Sequence, residues 1–178
     1  MENDYDYWSR FVETYDEDNL FIIGQKTHEE VMRWLSEQLG EDGRILDLGC
    51  GTGTYTRLAA EKAGEVVAAD MSREMLDAIR ARLADLENVT VRQEDCYRTS
   101  FDDSSFDVVI LGNVVHVVHD PVAVLRESRR VLKDGGRVLV IDFTAHGLPK
   151  DDKKAMMRRY FSRWGPIPEW SFAATVEG

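Results

Sequence analysis

Between Arg44 and Phe143, short apolar runs alternate with amphipathic stretches, and this alternation limits the fold more than any other feature of the chain. Ile45–Leu48, Glu65–Ala69, Asn88–Arg92, Phe106–Leu111 and Arg137–Phe143 read as strands. The fourth is apolar at nearly every position, as a strand covered on both faces must be. Thr54–Ala63 reads as a helix. Ser72 is placed to cap another, whose Met75, Leu76, Ile79 and Leu83 share one face. Asp120-Pro121 opens a third, with proline in the first turn, where its missing N–H costs nothing. Strands joined through helical crossovers build a parallel sheet with helices on both faces. The expected fold is therefore α/β, a doubly wound and mostly parallel sheet.

The 178 residues suffice for one domain with a substantial core. We divide it into an N-terminal helical cap (1–40), a core (44–143) and a basic helix with a tail (150–178). The first 26 residues are acidic but carry Tyr5, Tyr7, Trp8, Phe11, Tyr15 and Phe21, too apolar a mixture for a solvated tail. Thr27 to Glu30 predicts a capping box. The helix it opens has a stripe of Val31, Trp34, Leu35 and Leu39 and closes at Gly40. Lys150–Trp164 reads as a helix broken by Gly165-Pro166-Ile167-Pro168, with a short strand expected at Ser171–Val176.

Acids outnumber bases 33 to 22, for a formal charge of −11. Such a surface disfavours nucleic acid and anionic membranes as partners, because phosphate neutralisation needs a basic field. No apolar run approaches the ~20 residues of a membrane span, and the acidic N-terminus is unlike a signal peptide. Two cysteines, Cys50 and Cys96, make neither a disulfide framework nor a zinc spacing. A cytoplasmic protein without a metal site is expected.

Asp47-Leu48-Gly49-Cys50-Gly51-Thr52-Gly53 joins the first strand to the first core helix. Glycines let backbone approach a ligand closely, and the helix that follows offers free amides. Asp70 ends the next strand, 21 positions after Gly49, which brings a carboxylate beside the loop to accept ribose hydroxyls. A dinucleotide fingerprint would place its last glycine where Thr54 stands. The tighter G-x-G-x-G suits a ligand without a pyrophosphate and argues against a nicotinamide oxidoreductase.

The segment Ile45–Thr56, ILDLGCGTGTYT, resembles the first motif of class I S-adenosylmethionine-dependent methyltransferases. The similarity runs from about Arg44 to Phe143. It is strongest toward the broad subgroup of small-molecule methylases that includes those of quinone biosynthesis. The resemblance implies a Rossmann-like fold, S-adenosyl-L-methionine as cofactor, and a loop of Asp47, Gly49, Cys50, Gly51 and Gly53 around it. It implies Asp70 on the ribose, Met71 against adenine, Asp95 on the adenine amino group and the Cys96 amide at the ring. Gly112 to His116, with Asn113, would border the methionine part and the acceptor. The chain departs from the family at Asp134, where proline is usual, and after the fifth strand. There the usual C-terminal hairpin is abbreviated or absent. The open edge of strand five would be covered by the tail or by a second copy in a homodimer.

A sulfonium is already an activated donor, so catalysis rests on positioning and on keeping water out. The acceptor is expected to be a small molecule. His116 is the candidate general base, with His119 behind it. Cys96 reads as a small packing residue, and Tyr5, Tyr7, Trp8 and Tyr15 as a lid or as a helix packed on the sheet. The bases of the last helix, Lys150, Lys153, Lys154, Arg158, Arg159 and Arg163, read either as an anchor for an anionic substrate or as a solvated face. Gly112-Asn113-Val114-Val115 lacks the Pro-Pro-Tyr of amino-directed DNA methylases, and Asp142-Phe143 lacks the Asp-Asn of metal-dependent catechol enzymes. The alternative is a non-catalytic cofactor-binding subunit that stabilises or activates a partner.

Overall fold

The computed structural model describes residues 4–40, 43–144 and 147–166. Three helices, α1 (Asp4–Ser9), α2 (Tyr15–Ile23) and α3 (Gln25–Gln38), precede the sheet. The core runs β1 (Arg44–Leu48), α4 (Thr54–Ala60), β2 (Glu65–Asp70), α5 (Arg73–Arg82), β3 (Val89–Gln93), β4 (Phe106–Gly112), α6 (Pro121–Val131) and β5 (Leu132–Ile141). Helix α7 (Lys150–Trp164) follows. The five strands lie in the order β3-β2-β1-β4-β5, and every pairing is parallel.

The period-two alternation of the strands sorts their side chains into two layers. Leu46, Leu48, Val67, Val109 and Leu111 face one way and pack with Val124 and Val131 of α6. Ile45, Val66, Val108 and Ile110 face the other way and pack with Leu35 of α3, Leu39 just after it, and Ala59 and Ala60 of α4. On that same side Leu76 and Ile79 of α5 cover Ala68 and Cys50. The chain winds outward from β1 through β2 to β3, then returns to place β4 on the other side of β1. That reversal opens a crevice at the carboxyl ends of β1 and β4, where such sheets bind ligands. The glycine loop and the Gly112–His116 segment both lie there because each directly follows one of these strands.

Two caps form as the sequence predicts. The Ser72 hydroxyl accepts the Met75 amide at 3.2 Å, and an Asp120 oxygen accepts the Ala123 amide at 3.0 Å. The capping box at Thr27 does not. Helix α3 begins three residues earlier, at Gln25 after Gly24 at φ 83°, with no side-chain cap. Gly24 takes the left-handed turn between α2 and α3 by itself, which leaves Thr27 inside the helix. Trp34 is also outside the buried stripe, at 40% exposed, whereas Leu35 and Leu39 are buried. Strand β5 starts at Leu132, earlier than expected, because Leu132 pairs with Phe106 and the ladder then shifts register before Val108 pairs with Arg137. It ends at Ile141, short of Phe143. The strand expected at Ser171–Val176 lies outside the described residues. Among the described residues, no helix is long and apolar enough to cross a membrane.

Gly53 shows how tightly the loop is seated. It sits at φ 88°, and a Cβ there would stand 2.6 Å from Ile79 Cγ1. Left-handed backbone and overpacking each cost about 1–3 kcal/mol. We expect Gly53→Ala to lower the free energy of unfolding by roughly 2–4 kcal/mol in urea titrations. An unchanged midpoint would show that α5 does not press on the loop.

Candidate functional site

The site begins where β1 stops. The Gly49 and Cys50 amides both donate to the Ala69 carbonyl, at 2.7 and 3.0 Å, so the loop starts by leaning on β2. Gly51 turns at φ 52° with open space where a side chain would stand. Its amide donates to Asp70 Oδ2 at 2.9 Å, and Asp70 Oδ1 accepts the Ser72 amide at 2.9 Å. One carboxylate thus ties the loop to the N-terminus of α5. Burial pushes the Asp70 carboxyl above its usual range, and its backbone hydrogen bonds oppose that.

A cavity of about 360 Å³ opens over these groups, within the range of small-molecule sites. Of the residues singled out in the sequence, Gly49, Gly51, Asp70, Met71, Asp95, Cys96, Asn113 and His116 line it. Asp95 Oδ1 accepts the Tyr97 amide at 2.9 Å, which fixes the carboxylate beside Cys96. Asn113 turns at φ 60° and donates its amide to the Ile141 carbonyl at 2.7 Å, joining the ends of β4 and β5. His119 lines the cavity too, but its Nδ1 lies 2.6 Å from the Tyr97 hydroxyl.

His116 is held more firmly. Its Nδ1 hydrogen-bonds Asp142 Oδ1, and its amide donates to Asp142 Oδ2 at 3.0 Å. The Phe143 ring meets the imidazole edge-on at 5.2 Å. Nε2 is buried and has no hydrogen-bond partner among the described residues. A carboxylate at Nδ1 fixes the proton there and leaves the Nε2 lone pair available.

Other residues from the sequence reading stand elsewhere. Asp47 and Gly53 line neither this cavity nor the smaller one beside it. Asp47 is fully buried beneath the loop, where its Oδ2 accepts the Thr56 hydroxyl at 2.5 Å and its Oδ1 has no partner. Burial, with the Asp70 charge adding to it, pushes the Asp47 carboxyl up to about 7 against the Thr56 hydrogen bond. Cys50 lines the smaller cavity, of about 170 Å³, with Thr52, Thr54 and Tyr55. Burial raises its thiol well above the usual range, which disfavours the nucleophilic thiolate.

The aromatic N-terminus forms the roof, together with a residue the sequence reading missed. Tyr15 stacks on Trp164 at 5.5 Å, and Trp8 meets Trp164 edge-on at 5.3 Å. All three line the cavity, and the Tyr7 hydroxyl donates to the Trp164 carbonyl. Burial keeps the Tyr15 phenol protonated, while a hydrogen bond with Asn113 pulls the other way. Nothing is described of the Tyr5 side chain. Asp16 was also missed. Its Oδ1 accepts the Thr52 and Thr54 hydroxyls at 2.6 and 3.0 Å, and its Oδ2 pairs with Arg82. The end of α4, expected to face a ligand, is therefore partly closed by the chain's own carboxylate. Among the described residues, no group of three histidines, cysteines or acids could hold a metal ion.

Comparison with known proteins agrees with this geometry. Residues 46–140 match the family model described as a methyltransferase domain. The chain is 34% identical over 162 residues to the demethylmenaquinone methyltransferase of Staphylococcus aureus, covering 88% of this chain. It spans 66% of the length of that relative. Among solved structures, DhpI in complex with SAH matches with a TM-score of 0.67 and 25% identity, over 80% of this chain and 69% of that one. An S-adenosylmethionine-dependent methyltransferase from Mesorhizobium loti matches with a TM-score of 0.55 and 30% identity, over 62% of this chain and 51% of that one.

The buried Asp47 has a consequence for stability. Its folded pKa is raised from 3.8 to about 7, so the fold favours the protonated acid. That stability is complete below the unfolded value and is lost as pH rises toward about 7. Asp47→Asn keeps the shape and the acceptor for Thr56 without the charge. We expect its melting temperature to pull ahead of the wild type's between about pH 4 and pH 7, by the equivalent of at most about 4 kcal/mol, and then to hold a constant lead. A lead that does not change with pH would contradict this.

Proposed function

The chain belongs to the class I S-adenosylmethionine-dependent methyltransferases, and we propose that it transfers the cofactor's methyl group to a small-molecule acceptor. The observation that carries the proposal is one roofed cavity lined both by the carboxylates Asp70 and Asp95 beside the glycine loop and by His116, whose imidazole Asp142 holds at Nδ1. The residues present fit the cofactor. Asp70 faces the cavity to accept ribose hydroxyls, and Met71 and Cys96 flank the place for adenine. Asp95 has one oxygen uncommitted for the adenine amine. Gly49, Gly51 and Asn113 border the amino-acid end, and Cys50 lines the cavity next to it. Asp47 and Gly53 act from beneath by shaping the loop.

When bound, the cofactor supplies a methyl group on a sulfonium, which is transferred by in-line displacement. The protein supplies placement, water exclusion and a base. Trp8, Tyr15 and Trp164 cover the cavity. Tyr55, with its phenol pushed up to about 12 by burial, stays protonated and serves as a donor. His116 Nε2 takes the proton of an acceptor O–H or N–H, and Asp142 stabilises the imidazolium that forms. This pair favours an enzyme over a non-catalytic subunit, which would have no use for it. The likeness to demethylmenaquinone methyltransferases supports a small organic acceptor over nucleic acid. Free Cys50 and Cys96 suit a reducing cytoplasm. The outer edge of β5 has no partner strand among the described residues and leaves Val140 43% exposed, which supports a homodimer across that edge.

Two variants test the assignment. Asp70→Asn should weaken S-adenosylhomocysteine binding by roughly 1.5–3 kcal/mol in calorimetry, because hydrogen bonds to a charge are lost. His116→Ala should leave that affinity within about two-fold yet lower kcat by about 10²–10⁴ with the acceptor found by cofactor depletion against a metabolite extract. Equal turnover in His116→Ala would remove it as the base. Failure of the wild type to bind S-adenosylhomocysteine would overturn the whole proposal.

A further inference from the structure

Resting on the methyltransferase reading, we propose that the cavity enclosed by α2, α3, α7 and the end of β5 is the acceptor site, and that Arg159 selects an acceptor carrying an oxyanion on an apolar body. This cavity holds about 430 Å³, more than the one over the glycine loop. Ile22, Val31, Phe143, Leu148 and Met156 give it apolar walls. Arg159 lines it from α7. Its Nε is buried without a hydrogen-bond partner, and no ion pair engages its guanidinium among the described residues. A buried donor left unmet is costly, and a charged one more so, unless a ligand completes it.

The neighbouring charges do not meet this need. Arg163, one turn further along α7, pairs with Asp18 at 3.2 Å and lies over the Phe21 ring. Two acids also line the cavity. Asp142 is committed on both oxygens, to the His116 ring and amide and to the Phe143 amide. Asp152 is an exposed residue in the first turn of α7. Arg159 is thus the cation available to a ligand in an apolar setting, where its fork matches an oxyanion's two lone-pair directions.

The cavity is also placed for the chemistry. Asn113 lines both it and the cavity over the glycine loop. Asp142, which holds His116, lines it as well. A ligand anchored at Arg159 would present its other end to the Asn113–Asp142 wall, and Asn113 joins this cavity to the one that His116 lines.

The test uses the full chain with 1-naphthoate and its neutral counterpart, 1-naphthalenemethanol, titrated by calorimetry beside S-adenosylhomocysteine. We expect the carboxylate to bind saturably and at least about ten-fold more tightly than the alcohol, since charge-assisted bonds are about twice as strong as neutral ones. Arg159→Gln should abolish that preference, and Arg159→Lys should restore part of it, with S-adenosylhomocysteine affinity unchanged in both. Val31→Trp, which fills the cavity from α3, should weaken both naphthyl compounds and leave S-adenosylhomocysteine binding intact. Equal binding of the two compounds, a preference that survives Arg159→Gln, or full naphthoate affinity in Val31→Trp would each overturn the proposal. Loss of S-adenosylhomocysteine binding by the wild type would instead strike at the methyltransferase reading, so the two failures are distinct.

Discussion

The Asp70 carboxylate is the junction on which the site depends. Its two oxygens hold the amides of Gly51 and Ser72, so the loop after β1 and the helix after β2 share one anchor. This works because β1 and β2 run parallel and in register, with Leu48 beside Ala69. Their ends come level, and the acid that ends one strand reaches the loop that leaves the other. The same carboxylate is exposed to the cavity above. A single side chain therefore couples the geometry of the sheet to the floor of the cavity. The cost is a buried charge near a second acid, Asp47, and backbone amides at Asp70 offset it in part.

The crevice is closed by the two flanks of the core. Helices α1 and α2 bring Trp8, Tyr15 and Asp16, and α7 brings Trp164. Ile22, Tyr160 and Trp164 form a separate small core where these flanks meet. Stacked and edge-on aromatic pairs there add to the burial that joins α2 to α7. Asp16 then bolts the roof to Thr52 and Thr54 of the loop. Roof and floor are thus connected by polar contacts, and the aromatic face supplies the dry interior that methyl transfer requires.

Much of this was legible in the sequence because it is local. Strand periodicity, the Ser72 and Asp120 caps, and the interval from Gly49 to Asp70 each lie within a few turns of chain. The glycine spacing separated this loop from a dinucleotide loop for the same reason. What escaped is long-range or unpatterned. Asp16 sits in a run of acids that looks like ordinary solvated surface, and only folding brings it to Thr52, 36 residues on. Trp164 lies 149 positions from Tyr15 with nothing local to mark it. Asp142 stands 26 residues from His116, and nothing local in the sequence marks it as the partner of that ring. Thr27 misled because a capping box was weighed without the glycine three residues before it. Asp47 was assigned to the ligand because it stands in the motif, while its burial beneath the loop depends on the layers packed around it.

In the proposed binding mode the cofactor would bridge the glycine loop and the Asp95–Tyr97 segment, under a roof from α1 and α2. Hydrogen exchange read segment by segment by mass spectrometry, with and without S-adenosylhomocysteine, addresses this most directly. Slower exchange is expected at residues 49–53, at 94–97 and in α1–α2 together, with no such change with NAD. Protection confined to one of these segments, or equal protection by NAD, would contradict it.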